Sequence, residues 1–160
     1  MDELEGEKGR RRFAVWDYKT GSAYKYRSRR RGGGEDPFDQ GRLIQNYLYP
    51  LLAESRLREK VAPDAEVVRF GYFFPGIREH GERISWERKA LDSGGGVLEN
   101  LLAMVAGGCF PFTDDVDDVN FSAYADAFGD AAAAAQAARR KLGNPKNEML
   151  LPMRRLRDYE

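Results

Sequence analysis

The chain is poor in cysteine and histidine, balanced in charge and free of long apolar runs, and each shortage closes off a class of function. Cys109 is the single cysteine among 160 residues. No disulfide can form within the chain, and no all-cysteine metal site can be assembled. The opening stretch, Met-Asp-Glu-Leu-Glu-Gly-Glu-Lys, has no apolar run that could serve as a signal peptide. No segment reaches the roughly 18 apolar residues of a membrane span. The sequence therefore reads as a soluble, cytoplasmic chain with no membrane partner. Its 26 basic residues are matched by 26 acidic ones. Overall charge makes no case for nucleic acid, so any DNA footprint must be local. The first sixty residues carry 14 Lys or Arg against 10 Asp or Glu, a net of +4, which leaves −4 for the remainder. The one histidine, His80, falls between two strand-like runs and reads as a surface residue without a role.

What the sequence does contain is organised around Arg12-Phe-Ala-Val-Trp-Asp-Tyr-Lys-Thr-Gly21. Its β-branched and aromatic content predicts a buried strand, ended by the glycine. Alternation across a strand puts Phe13, Val15, Asp17 and Lys19 on one face. The carboxylate and the ammonium are then about 6–7 Å apart along the strand. Asp17 can supply hard oxygen to a divalent cation, and Lys19 can sit near a scissile phosphate or an attacking water. The pair suits a metal-dependent phosphodiesterase, and equally a strand end that simply reaches solvent. A helix is predicted from about Asp39 to Lys60, with Leu43, Ile44, Tyr47, Leu48, Leu51 and Leu52 as its buried stripe. Gln45 and Tyr49 lie four apart on the flank of that stripe and can point the same way. Pro50 removes one helical hydrogen bond and predicts a kink.

Asp17-Tyr-Lys19-Thr-Gly followed by Gly41-x-x-x-Gln45-x-x-x-Tyr49 resembles the PD-(D/E)XK nuclease superfamily. Within it, the likeness is to the RecB-like C-terminal nuclease domains of helicase–nuclease recombination and repair subunits. The resemblance implies an α/β fold, a restriction-endonuclease-like mixed sheet flanked by helices. The whole chain, 1–160, would be one partial domain, with 12–128 as its best-matching core and 129–160 as a C-terminal helical segment. Asp17, Lys19, Gln45 and Tyr49 would be catalytic, with Asp17 ligating Mg²⁺ or Mn²⁺, and the partners would be DNA and a helicase–nuclease subunit. In the family a preceding strand carries a further metal-binding acid. Asp2 and Glu3 lie near its place without matching the motif, so the N-terminal elements of the core are expected to be missing. A non-catalytic remnant, or a module that binds DNA or a helicase without cutting, is the competing expectation.

The remaining segments add detail. Lys25, Arg27, Arg29, Arg30 and Arg31, interleaved with Tyr24 and Tyr26 and followed by three glycines, form a basic loop. It is suited either to phosphate contacts or to mere solvation. Ala65–Phe74 and Arg83–Arg88 alternate as strands and predict a hairpin. A helix is expected over 97–106, with Leu98, Leu101, Leu102 and Val105 facing the core, and Cys109 reads as a small buried thiol. Many members of the family have a C-x2-C-x5-C iron–sulfur motif in the region after Asp114. Here its positions hold Val119, Ser122 and Phe128. Valine and phenylalanine cannot ligate iron, so no iron–sulfur cluster is expected, and apolar packing would hold this segment instead. The acidic run Asp115, Asp117 and Asp118 reads as a solvated turn rather than a cation site. Helices over 130–142 and 149–159 complete the reading, the last with Arg154, Arg155 and Arg157 exposed.

Overall fold

The computed structural model describes residues 1–4, 10–27 and 36–157. The chain divides into two compact units, Met1–Leu98 and Glu99–Tyr159. The first is α/β. Strands β1 (Asp2–Leu4), β2 (Arg12–Tyr18), β3 (Glu66–Phe74) and β4 (Glu82–Glu87) form a four-stranded mixed sheet in the order β1-β2-β3-β4. β1 runs antiparallel to β2, β2 parallel to β3, and β3 antiparallel to β4. The parallel pair needs a crossover, and the chain between them supplies a short helix α1 (Tyr24–Arg27) and a long one, α2 (Gln45–Lys60).

α2 lies on the face of the sheet that carries Phe13 and Val15. Its Leu57 packs with Phe13, Ala65 and Val67, and Ala53 and Val15 pack against that cluster. The register skips Val68, since Phe13 pairs with Val67 and Ala14 with Arg69. A bulge in β3 absorbs the extra residue and resets the alternation, bringing Phe70, Tyr72 and Phe74 round to the face that already carries Val67. On the opposite face, Trp16 covers Gly71, where an added Cβ would lie 2.7 Å from the indole ring. The indole N–H of Trp16 donates to Asp2 Oδ2 at 3.0 Å.

Strands β2, β3 and β4 agree closely with the sequence, whereas β1 forms where no strand was expected and pairs with β2. Helix α2 departs from the sequence in two ways. α2 begins at Gln45, not Asp39. Residues 37–44 are turns, in which the Asp36 carboxylate accepts from the Phe38 N–H at 2.8 Å and the Gln40 N–H at 2.6 Å. Asp39 and Gln40 have φ of 47° and 57°, in the left-handed region no helix can pass through. Nor is the buried face of α2 the leucine stripe. Asn46, Pro50 and Leu57 are buried, while Leu51 and Leu52 are 36% and 65% exposed. Asn46 is anchored by a bond from its amide to the Pro37 carbonyl and another from the Tyr72 hydroxyl to its Oδ1. That anchor turns Leu51 and Leu52 outward, while Leu43, just ahead of the helix, stays buried.

Helix α3 (Gly94–Ala106) begins at the end of the first unit and runs on into the second. Gly94, Val97 and Asn100 are its buried positions, whereas Leu102 and Val105, expected in the core, are mostly exposed. The second unit continues with α4 (Val116–Asn120), α5 (Ala125–Phe128), α6 (Ala131–Leu142) and α7 (Leu151–Arg157). The Asp130 carboxylate caps α6 by accepting from the Ala132 and Ala133 N–H groups. Cys109, Leu142 and Leu150 form a core cluster, joined by Met104 and Met153. Of the three arginines expected to be exposed near the end, only Arg155 is. Arg157 forks onto the Asp114 carboxylate, and Arg154 donates to the carbonyls of Leu142, Asn144 and Asn147. Among the described residues no helix is long and apolar enough to cross a membrane.

Candidate functional site

The site lies at the carboxyl ends of the parallel strands β2 and β3, where the first turn of α2 meets them. In an open α/β sheet this is where loops diverge and leave room for a ligand. Asp17 and Lys19, two apart at the end of β2, are joined by an ion pair with Lys19 Nζ 2.9 Å from Asp17 Oδ2. Both are partly shielded, with side-chain exposures of 26% for Lys19 and 18% for Asp17. Asp17 is the direct partner of Tyr72 in the parallel ladder. Lys19 Nζ lies 5.2 Å from the centre of the Tyr72 ring, a cation–π contact. The Lys19 backbone is held as well, its N–H donating to the Phe73 carbonyl at 2.9 Å.

Gln45 enters from the other side. Its Nε2 donates to the Tyr72 hydroxyl at 3.0 Å, so Asp17, Lys19 and Gln45 all converge on Tyr72. Tyr49, one turn further along α2, packs edge-on against Phe70 at 6.0 Å and is 44% exposed. It shares the face but is held by Phe70 rather than by Tyr72. Tyr26, from α1, closes over the site, its ring 4.5 Å from that of Tyr72 and 5.3 Å from that of Phe74. Lys25 and Arg27 belong to α1, so this end of the expected basic loop is helical backbone. Arg29, Arg30 and Arg31 lie outside the described residues.

The electrostatics follow from the partners. Desolvation works to lower the Lys19 pKa, but the hydrogen bond and charge of Asp17 together outweigh it, and Lys19 is held above its ordinary value. It is an ammonium at any physiological pH, able to donate and to neutralise negative charge. Burial raises the Tyr72 pKa well above that of a free phenol, against the opposing hydrogen bond from Gln45. Tyr72 is therefore a neutral hydroxyl. It is fully buried, as is Asn46.

Asp17 offers a hard carboxylate, whose Oδ2 lies 2.9 Å from Lys19 Nζ. The acids of β1 do not join it. Asp2 pairs with Ala14 in the ladder, on the opposite face to Asp17, and is bound by Trp16. Glu3 is held bidentately by Arg11 at 2.7 and 2.8 Å. Among the described residues no group of three or more His, Cys, Asp or Glu side chains forms a metal cluster. Magnesium takes one or two carboxylates and completes its shell with water and substrate oxygens. The Asp17 carboxylate meets the lower limit of that requirement. Of the iron–sulfur positions, Val119 is buried in the second unit, and Phe128 stacks on Phe112 at 4.7 Å.

Two members of the constellation, Tyr72 and Asn46, were not singled out from the sequence. Tyr72 sits in the Phe70–Phe74 alternation as the only member with a polar tip, and Asn46 adjoins Gln45. Both signals are visible only once the β2–β3 register is known. No protein-family model, curated protein or solved structure matches the chain.

Proposed function

We propose that the first unit carries a divalent-metal-dependent phosphodiesterase site of the PD-(D/E)XK nuclease type, acting on DNA. The observation that carries this reading is the convergence of Asp17, Lys19 and Gln45, drawn from two separate sequence motifs, on Tyr72. A mixed sheet with its crossover helix on one face suits the restriction-endonuclease-like architecture. Asp17 would hold Mg²⁺ or Mn²⁺, which when bound supplies Lewis acidity and an acidified water. Lys19, fixed as an ammonium, donates to a phosphate oxygen as negative charge develops there. Gln45 and Tyr49 line the approach. Lys25, Arg27, Arg29, Arg30 and Arg31 lie in the segment that follows β2 and would meet the DNA backbone. The setting is cytoplasmic DNA recombination or repair beside a helicase–nuclease subunit.

A second reading, binding of DNA without cleavage, is favoured by one feature. Among the described residues Asp17 is the single carboxylate at the site, with Asp2 and Glu3 engaged elsewhere. The two readings separate in a plasmid and linear-duplex degradation assay with Mg²⁺, Mn²⁺ or EDTA. Slow, metal-dependent cutting is expected, reduced about 100-fold or more in Asp17→Ala and Lys19→Ala, the usual cost of removing a charge-stabilising group. Binding to DNA with no cutting under any divalent metal would replace the nuclease with the binding module.

A further inference from the structure

We infer that Tyr72 is a positioning residue that fixes the polarity of Gln45, leaving its carbonyl oxygen, and not its NH₂ group, free to accept from the water shell of a divalent cation held at Asp17. The inference rests on the phosphodiesterase reading and extends it to residues outside the two motifs. A chain of hydrogen bonds sets the polarity, and each step admits one direction only. The Pro37 carbonyl can only accept, so Asn46 must present its NH₂ group to it. That leaves Asn46 Oδ1 facing the Tyr72 hydroxyl, which must donate to it. With its one proton committed, the Tyr72 oxygen can only accept, and Gln45 must offer it Nε2. The remaining atom of the Gln45 amide is Oε1, a neutral hard acceptor.

The geometry makes this relay consequential. Tyr72 and Asn46 are fully buried, so water cannot replace a broken link. Tyr72 is wedged between Tyr26 and Phe70, at ring separations of 4.5 and 5.6 Å, and cannot swing its hydroxyl away. The same ring carries Lys19 on its face. One residue therefore holds both the ammonium that pairs with Asp17 and the Gln45 amide. Without the phenolic oxygen, the Gln45 amide is free to flip and to present NH₂ to a cation, which repels it.

The test uses the full chain and Mn²⁺ as the probe, read by titration calorimetry and by paramagnetic broadening of NMR signals. Mn²⁺ binding that disappears in Asp17→Asn and weakens about tenfold in Tyr72→Phe, as for other outer residues that orient a metal's neighbours, is the expected result. Equal Mn²⁺ affinity in wild type and Tyr72→Phe, with Asp17-dependence intact, overturns the relay and leaves the phosphodiesterase reading standing. Binding that ignores Asp17→Asn overturns that reading, and the inference with it. A further measurement needs no variant. In the wild-type chain the Gln45 Nε2 protons should show nuclear Overhauser contacts to the Tyr72 ring, and their absence overturns the assigned polarity even if Tyr72→Phe does not fold.

Discussion

Asp17 and Tyr72 stand opposite one another in the parallel β2–β3 ladder, and nearly everything the site can do follows from that pairing. The strand order makes a carboxylate and a buried phenol neighbours on one face. Lys19 bridges them, ion-paired to the first and stacked on the second. The first turn of α2 is then tied to the same phenol through Gln45 and Asn46. Helix, strand and site share a single anchor.

That anchor makes stability sensitive to alkali. Tyr72 has a folded pKa raised above its unfolded value, so between the two the folded state binds more protons than the unfolded one. Stability falls with rising pH wherever this holds. Lys19, also raised, acts in the same direction. Both contributions are fully present below about pH 10, near the unfolded values of the two groups, and are lost as pH rises beyond it toward the folded ones. Urea denaturation from pH 8 to 11 should show a steep decline in the wild type and a shallower one in Tyr72→Phe. At neutral pH, Tyr72→Phe should cost about 1–3 kcal/mol, because it strands Asn46 Oδ1 without a donor. Parallel alkaline profiles for the two proteins would show that the phenol is not the group responsible.

A different constraint operates on the opposite face of the sheet. An added Cβ at Gly71 would lie 2.5 Å from the Ile84 carbonyl oxygen and 2.7 Å from both the Ser85 Cβ and the Trp16 ring. The carbonyl belongs to the β3–β4 ladder, and Trp16 is tethered by Asp2, so neither can yield cheaply. Gly71→Ala should lose about 1–3 kcal/mol, the usual range for overpacking a fitted interior, with the loss visible as a lowered urea midpoint. A midpoint unchanged from wild type would mean that Trp16 can leave its place over Gly71.

The strands were legible in the sequence because alternation is a short-range signal, and Phe13 to Lys19 and Val68 to Phe74 carry it cleanly. The facing of the helices was not. Leu43, Leu48, Leu51 and Leu52 have good helical spacing, but spacing does not say which side is covered. Asn46, a polar residue that propensity would place outside, is the one held inside by its bonds to Pro37 and Tyr72. The turn at 37–44 was also hidden. Asp36 accepts two backbone N–H groups there, a local competition that halts a helix despite favourable apolar residues. Asp17, Lys19 and Gln45 were legible as motif residues, while Tyr72 required the β2–β3 register and its bulge at Val68. Across the second unit, Asp114 and Arg157 are 43 residues apart, and no local pattern announces their contact.

That contact gives the last prediction. Asp114 is almost fully shielded, with 10% side-chain exposure, and accepts from Arg157 in a fork while Arg139 approaches at 3.4 Å. The hydrogen bond from Arg157 is the largest influence on the Asp114 carboxyl. It works against desolvation, with help from the charges of both arginines, and holds the pKa below the usual carboxylate range. Because the folded value is depressed, the stabilisation is fully present above the unfolded pKa, near 3.9. It is lost as pH falls through the folded one. Asp114→Asn keeps the shape and removes the charge, and hydrogen bonds to charged groups contribute about 1.5–3 kcal/mol. The variant should therefore be destabilised by about that amount at pH 7, and the gap from wild type should narrow as pH falls below the unfolded value. Arg157→Met should behave similarly at pH 7, since it leaves Asp114 with only the more distant Arg139. Circular dichroism melts of the full chain between pH 2 and pH 7 would measure both. A gap of the same size at every pH from 7 to 2, with no narrowing below the unfolded value, would mean that Asp114 stabilises the second unit through packing and not through its charge.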